Sequence, residues 1–232
     1  MKKVLLYSGG MDSWLIDKLW KPDIRLYVNM HTTYSEQEIA KLSEQVTIVD
    51  FPLGQWERPD AIIPLRNLYL IMVACNITGD EDVEICVGAT DGDRSTDQSK
   101  EFFNECEKLL GYLYKPQHWI PNGKSINIIT DYKNKTKTQL LEQFIKKGGN
   151  IQEAFEKSLS CYHPDNNGEP CWNCKPCFRK FVAFANNGYE FKQNVIDKNM
   201  KYITEYIVPE LNAGTYRGIE DNEIRNSLSK FS

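Results

Sequence analysis

The chain has 232 residues, of which 28 are basic and 32 are acidic, so its formal net charge is −4. Hydrophobic residues make up 41% of the sequence, which is enough for a sizeable core and excludes a disordered or fibrous chain. The acidic balance argues against general binding to nucleic acid or to a membrane surface.

The amino terminus and the longest apolar run bear on where the protein resides. The chain reaches Ser8 and two glycines after only a short apolar run, which is too short for the core of a secretion signal. The run Leu68–Cys75 is far shorter than the roughly 20 residues of a membrane-spanning helix. We therefore expect a cytoplasmic protein without a membrane partner.

Short apolar runs alternate with helical stretches along much of the chain. This alternation is typical of βαβ units and predicts an α/β fold with a parallel sheet covered on both faces. The predicted strands are Val4–Tyr7, Arg25–Asn29, Val46–Val49, Val83–Val87 and Ile126–Ile129. The predicted helices between and after them are Asp12–Trp20, Glu36–Ser43, Leu65–Ile77, Lys100–Tyr112 and Lys137–Lys147.

Two of these helices begin with the spacing of a capping box, Ser35 with Glu38 and Thr136 with Gln139. From about residue 155 the composition shifts to a loop rich in Cys, Pro and Asn. Two further helices, 175–185 and 195–206, and a polar tail are predicted after it. We divide the chain into an α/β domain, residues 1–155, and a C-terminal region, residues 156–232, which is a second domain or an extension of the first.

The first chemical motif is the run Ser8-Gly9-Gly10-Met11-Asp12-Ser13, between the first predicted strand and the first predicted helix. Its glycines allow backbone amides to approach a ligand, the helix N-terminus offers N–H groups, and two serines add hydroxyls. The motif predicts an anion-binding loop; an ordinary turn capped by a serine is the alternative. Asp12 is a candidate Mg²⁺ ligand or a carboxylate that stabilises the first turn.

This run resembles the pyrophosphatase-loop (PP-loop) signature of ATP-dependent adenylating enzymes. The resemblance implies that Ser8–Ser13 holds the pyrophosphate of ATP while a substrate oxygen attacks the α-phosphorus. Pyrophosphate then leaves, and a nitrogen or sulfur nucleophile displaces AMP from the adenylate. Such chemistry depends on positioning and on cations that face the phosphate charge.

The second motif is a cluster of four cysteines, Cys161, Cys171, Cys174 and Cys177, among turn-forming residues. Its Cys-x-x-Cys spacing predicts a closed tetrahedral thiolate site holding a structural Zn²⁺. An iron–sulfur cluster, a redox-active pair and scattered core cysteines are the alternatives. The three other cysteines lie in apolar runs and are predicted to be small buried residues, namely Cys75, Cys86 and Cys106.

Taken in order, these motifs resemble the 7-cyano-7-deazaguanine synthase family of the queuosine pathway. The resemblance covers about four-fifths of the chain and implies a Rossmann-like adenine-nucleotide α-hydrolase domain with a zinc-bearing helical C-terminal end, in a homodimer. It also implies conversion of 7-carboxy-7-deazaguanine and ammonia through an amide to the nitrile, with ATP driving each stage. The segments that carry it are Ser8–Ser13, Pro64–Asn67, Val87-Gly88 with Phe102, Thr136-Lys137 and Ser160–Cys177.

Two segments depart from the family pattern. Asn29–Tyr34 replaces the usual Asp-Tyr-Gly-Gln after the second strand, and Ser95–Ser99 is a shortened form of the substrate-side segment. The acceptor is therefore a 7-deazaguanine, with the reaction ending at the amide or the nitrile, or another carboxylate.

Five more residues are candidates for the site. Arg66 and Lys137 are the cations expected near the phosphates, with a solvated helix-start charge as the alternative. Asp93 and Arg94 follow the fourth strand where doubly wound sheets bind ligands, and with Asn67 they are assigned to the substrate. A turn role is the alternative for Asp93.

These observations together predict an ATP-dependent carbon–nitrogen ligase acting on a 7-deazapurine carboxylate. A PP-loop enzyme that transfers sulfur to tRNA is one alternative, and it needs Cys174 and Cys177 free and redox active. A ligase for another carboxylate is the second. The third is a non-catalytic module that senses a nucleotide or binds a partner.

Overall fold

A computed structural model describes residues 1–59, 62–93, 95–161, 163–165 and 168–231. Within these residues, five parallel strands form one sheet in the order β3-β2-β1-β4-β5. The predicted α/β fold with a parallel sheet is therefore confirmed. The strands are β1 (Lys2–Leu6), β2 (Ile24–Asn29), β3 (Val46–Asp50), β4 (Val83–Val87) and β5 (Ile126–Ile129).

The helices surround this sheet in the first part of the chain and dominate its last part. They are α1 (Met11–Trp20), α2 (Ser35–Ile39), α3 (Arg66–Ile77), α4 (Lys100–Leu113), α5 (Lys137–Lys146), α6 (Ile151–Lys157), α7 (Lys175–Asn186), α8 (Gln193–Tyr202), α9 (Val208–Asn212) and α10 (Ile219–Leu228). A π-helical turn, Ile203–Ile207, joins α8 to α9. No helix in the described part of the chain combines the length and apolar character needed to cross a membrane.

One of the two predicted capping boxes forms. The Thr136 side chain accepts from the Gln139 amide, and the Gln139 side chain accepts from the Thr136 amide, which confirms the predicted start of α5. The prediction at Ser35 is wrong, because Ser35 is already helical and Tyr34 precedes it without a side-chain cap. The Ser35 hydroxyl instead accepts a hydrogen bond from the Thr32 amide at 2.9 Å. A local turn thus uses the group that the sequence pattern assigned to the cap.

The end of the chain also differs from its prediction. The polar tail expected after residue 206 contains α9 and α10, and α6 lies in a stretch where no helix was predicted. Ile224 of α10 is 1% exposed and packs with Phe178 and Phe181 of α7. α10 is therefore held by packing of a few apolar residues rather than by a strong sequence period.

The described residues group into two compact units. The first contains Met1–Gly9, Ile16–Ala89 and Asp93–Asn134, and the second contains Gly10–Leu15, Thr90–Gly92 and the chain from Lys135 onward. The sheet and its core belong to the first unit, whereas α5 to α10 belong to the second. The domain boundary near residue 155 stays a prediction.

The order of the strands defines where a ligand is expected. From β1, the strands β2 and β3 follow in order toward one edge of the sheet, whereas β4 and β5 lie on the other side of β1. In doubly wound sheets, ligands bind beyond the carboxyl ends of the strands at such a switch point. The segment that follows β1 at this point begins the Ser8–Ser13 motif.

Candidate functional site

The loop between β1 and α1 turns sharply at a glycine. Gly9 has a φ of +71°, a conformation that costs glycine little because it has no Cβ. Gly10 then pairs with Leu159 in an isolated parallel bridge, and its carbonyl accepts from the Trp14 amide at 2.9 Å. The Ser13 hydroxyl donates to the same carbonyl at 3.1 Å. The loop is thus fixed by its own helix and by a segment almost 150 residues away.

Asp12 and Lys137 form an ion pair in this region. The Lys137 ammonium contacts Asp12 Oδ2, and both side chains are about 15% exposed or less. The second oxygen, Asp12 Oδ1, is buried and has no hydrogen-bond partner among the described residues. A buried carboxylate oxygen without a partner is costly. This atom can therefore ligate a cation or accept a hydrogen bond from a ligand.

The ion pair brings together the N-terminal ends of two helices. Asp12 lies in the first turn of α1, and Lys137 is the first residue of α5. Helix N-termini carry partial positive charge, and their N–H groups bind phosphate and other anions. Together with the positive charge of the Lys137 ammonium, these N–H groups could bind a polyphosphate.

The start of α5 is held from a third helix. The Thr136 hydroxyl donates to Glu223 Oε1 at 2.5 Å, and the Thr138 hydroxyl donates to Glu223 Oε2 at 2.7 Å. Glu223 belongs to α10. Burial raises the pKa of Glu223, while the two hydroxyl bonds act in the opposite direction. Both neighbours of Lys137 in the sequence are therefore fixed by one carboxylate.

The segment that pairs with Gly10 is fixed by a buried lysine. Lys180 of α7 is 3% exposed, and its ammonium donates to the carbonyls of Phe155 at 2.6 Å and Ser158 at 2.7 Å. These carbonyls lie at the C-terminal end of α6, where a cation is favourable. Because Ser158 directly precedes Leu159, Lys180 supports the strand-like contact with the loop.

The four predicted metal ligands come together in space. The Sγ atoms of Cys161, Cys171, Cys174 and Cys177 all lie within 4.8 Å of one another. A tetrahedral zinc site with bonds of about 2.3 Å places its sulfurs roughly 3.8 Å apart, so the cluster fits such a site with small adjustments. Four sulfur ligands leave no open position, which is typical of a structural metal.

The thiols of this cluster influence one another. Hydrogen bonds from the thiols of Cys174 and Cys177 lower the pKa of Cys161, and the amide of Cys171 also donates to its sulfur at 3.2 Å. Burial raises the pKa of Cys171 to about 12. A thiolate is thus favoured at Cys161, and a divalent cation would supply the charge that stabilises all four cysteines as thiolates.

The remaining cysteines are buried, as predicted. Cys75, Cys86 and Cys106 are between 0% and 4% exposed. Burial raises the pKa of Cys75 to about 11, so this thiol stays protonated near neutral pH. These residues fill the core of the first unit.

Two predicted site residues lie at the start of α3 in the first unit. Arg66 is half-buried, and its charge acts to lower the pKa of Glu38, although burial raises that pKa to about 7 overall. Asn67 is 3% exposed, and its side-chain amide donates to the Asp97 carbonyl at 2.9 Å. Asn67 therefore anchors the turn around Asp97, and its assignment to the substrate stays a prediction.

Asp91 and Gly92, which follow β4 in the sequence and belong to the second unit, are held by arginines of that same unit. Arg217 donates to the Gly92 carbonyl, and Arg179 donates to the Asp91 carbonyl at 3.5 Å. In the first unit, the Asp93 carbonyl accepts from Lys133 at 3.1 Å. Arg94, the other residue predicted there to bind substrate, lies outside the described residues.

Several residues of this region were missed by sequence reasoning. Lys180, Glu220 and Glu223 each make contacts to segments far away in the chain. One local signal was the spacing of apolar residues four apart at Ile224 and Leu228, which indicates one face of a helix. Extending the search for helical periodicity to this segment would have predicted α10, but it would not have predicted the partners of Glu220 and Glu223.

Comparison with known proteins gives a consistent result. A 7-cyano-7-deazaguanine synthase of Rickettsia conorii (strain ATCC VR-613 / Malish 7) is 28% identical to this chain. The match covers 87% of this chain and 99% of the relative. The proteins of the same name from Stutzerimonas stutzeri (strain A1501) and Chlorobaculum parvum (strain DSM 263 / NCIMB 8327) are each 24% identical. Their matches cover 81% of this chain and 95% and 93% of the relatives, respectively.

A family model described as queuosine biosynthesis protein QueC matches residues 27–188, which is more than half of the chain. That stretch includes Arg66, Lys137 and all four clustered cysteines. The chain belongs to the QueC family.

Proposed function

We propose that the protein is an ATP-dependent ligase that converts 7-carboxy-7-deazaguanine to 7-cyano-7-deazaguanine with ammonia as the nitrogen donor. Its QueC relatives are named for this nitrile product. The observation that carries the proposal is the ion pair of Asp12 with Lys137, at the N-termini of two helices beside the Ser8–Ser13 loop.

The reaction needs two activations. In the first, a carboxylate oxygen attacks the α-phosphorus of ATP, and the bond to the β-phosphate oxygen breaks to release pyrophosphate. Ammonia then attacks the acyl carbon, AMP leaves, and a proton is lost to give the amide. In the second, the amide oxygen attacks the α-phosphorus of another ATP and pyrophosphate leaves. Loss of AMP and of two N–H protons from the resulting adenylate then gives the nitrile.

The loop residues have separate roles in this proposal. The amides around Gly9 and Gly10 and the hydroxyls of Ser8 and Ser13 hold the pyrophosphate, and the buried side chain of Met11 anchors the loop. Lys137 faces the charge that develops as pyrophosphate leaves. Asp12 Oδ1 is buried and accepts no hydrogen bond from the described residues, which suits a Mg²⁺ ion that accompanies ATP.

Further residues are assigned to the substrate and to support. Arg66 is the second cation for the phosphates, and Asn67, Asp93 and Arg94 contact the deazapurine. The four clustered cysteines hold a structural Zn²⁺, whose loss is expected to disorder the start of α7. We also propose that two chains form a homodimer.

The experiment combines the purified chain with ATP, Mg²⁺, ammonium and 7-carboxy-7-deazaguanine. AMP and pyrophosphate are measured, and mass spectrometry separates the amide from the nitrile, which has lost one water. We expect the nitrile. An amide product alone would mean that the dehydration is lost, which we would attribute to the shortened segment Ser95–Ser99.

Variants of the loop test where the chemistry occurs. Asp12→Asn and Ser13→Ala are expected to lose turnover and to remain folded, because neither change removes apolar packing. Asp197→Asn, at an exposed acid of α8, is the matched control. Normal turnover by both loop variants would show that the motif is only a turn. Pyrophosphate exchange with a different carboxylate, and none with 7-carboxy-7-deazaguanine, would overturn the substrate assignment.

A further inference from the structure

Glu223 makes an unusual pair of contacts at the start of α5. Its two oxygens accept separately from the hydroxyls of Thr136 and Thr138, at 2.5 Å and 2.7 Å. Lys137 lies between these threonines in the sequence. One carboxylate therefore binds the side chains on both sides of the lysine that pairs with Asp12.

These contacts are more than the helix start requires. Thr136 already forms a capping box with Gln139, which satisfies the amides of Thr136 and Gln139. A capping box fixes where a helix begins, but it leaves the first turn free to rotate slightly about its axis. The hydrogen bond from Thr138 to Glu223 removes that freedom, and it therefore also restricts the directions in which the Lys137 side chain can point.

The carboxylate itself has a fixed position because α10 is locked to α7. Arg179 pairs with Glu220 at 2.6 Å, and these side chains are 11% and 8% exposed. The Asn186 amide donates to the Glu223 carbonyl at 2.8 Å. Phe178 of α7 and Ile224 of α10 are buried in one apolar cluster. Glu223 is therefore presented from a rigid pair of helices.

Lys137 and Glu223 also line a common crevice, together with Thr138, Arg179 and Glu220. We propose that Glu223, acting through the two threonines, is a positioning residue that keeps the Lys137 ammonium against Asp12. Glu223 lies beyond residue 188, where the match to the family model ends. Only the kinetic part of the test below rests on the proposed function.

The test compares Glu223→Ala, Glu223→Asp and Glu223→Gln, with Asn222→Ala as the control at an exposed position of the same helix. Alanine removes both acceptors, and aspartate is one methylene too short to reach both hydroxyls. Glutamine keeps the length and bonds both threonines, since a hydroxyl also accepts from its amide. A positioning role therefore predicts that glutamine restores what alanine and aspartate lose.

The first readout is the labelling rate of Lys137 by an amine-directed reagent, followed by peptide mass spectrometry. We expect the labelling rate to be roughly tenfold faster in Glu223→Ala, because the loss of about one charge-assisted hydrogen bond has an effect of this size. The glutamine and control variants should be labelled at the wild-type rate. This readout needs no turnover, so it tests the proposal even if the proposed reaction fails.

The second readout is kcat/KM for ATP, expected to fall about tenfold in Glu223→Ala and to recover in Glu223→Gln. Thr138→Val, a smaller change, is expected to act in the same direction and not to add to Glu223→Ala. A labelling rate in Glu223→Ala equal to that of the control would overturn the proposal. So would an equal loss in the glutamine and alanine variants, which would indicate a requirement for charge rather than for position.

Discussion

Replacing Lys180 by methionine tests whether the buried ammonium supports the loop segment. Methionine keeps most of the apolar stem but removes the donor, so the carbonyls of Phe155 and Ser158 lose bonds of 2.6 Å and 2.7 Å. Hydrogen bonds to a charged group contribute about 1.5–3 kcal/mol each. Removing a buried charge recovers part of that loss, because its desolvation cost of several kcal/mol disappears. We expect a net destabilisation of about 2–4 kcal/mol.

For a chain of this length each kcal/mol shifts the melting temperature by about 2–4 °C, so the variant should melt roughly 4–16 °C below the wild type. Lys198→Met, at an exposed position of α8, is the control and should change little. Hydrogen exchange should also become faster at Leu159 and Gly10, because the end of α6 no longer holds their bridge.

The two measurements separate a local from a general effect. Lys180→Arg keeps a cation and is expected to fall between the wild type and Lys180→Met. If Lys180→Met and Lys198→Met melt within about 2 °C of each other, the two carbonyl contacts do not contribute as argued. If Lys180→Met melts early but exchange at Gly10 is unchanged, the lysine stabilises α6 without supporting the loop.

Three more predictions concern the metal, pH and backbone. Cys174→Ser, or a strong chelator, should remove about one zinc per chain by elemental analysis and lower the melting temperature; iron in the wild type would refute the zinc site. Burial raises the pKa of Glu38 to about 7, so its contribution to stability is present below about pH 4.3 and is lost as the pH rises through 7. The free energy of unfolding, measured by denaturant titration, should therefore fall less between pH 5 and pH 8 in Glu38→Gln than in the wild type. The difference is up to about 3 kcal/mol, less after solvent screening, and an unchanged pH dependence would contradict this prediction. Gly92→Ala should cost about 1–3 kcal/mol in denaturant titrations, because Gly92 has a φ of +85° and a Cβ there would lie 2.7 Å from the Glu220 carboxyl; wild-type stability would be inconsistent with this.

Much of the fold follows from short-range patterns in the sequence. The five strands were predicted to within two residues at each end because each is a short apolar run bounded by turn residues. The capping box at Thr136 formed because both of its partners lie within one helical turn. The spacing of the four cysteines likewise predicted their cluster, since Cys-x-x-Cys steps bring thiols together locally.

The tertiary structure decided contacts between distant segments. Asp12 and Lys137 are 125 residues apart, and no periodicity or spacing links them. The same holds for the bridge of Gly10 with Leu159 and for the two bonds of Glu223. Even the capping box expected at Ser35 was lost to a nearby turn that offered its hydroxyl another donor.

The physical reason is the range over which each signal acts. Backbone hydrogen bonding and apolar periodicity are repeated at every turn of a helix or step of a strand, so a window of a few residues contains them. A polar contact such as Lys137 with Asp12 depends on a single pair of side chains and forms only after the sheet and helices have packed. Sequence therefore identified the loop, the cysteines and the candidate charged groups of this protein, whereas packing decided that Asp12 and Lys137 pair with each other.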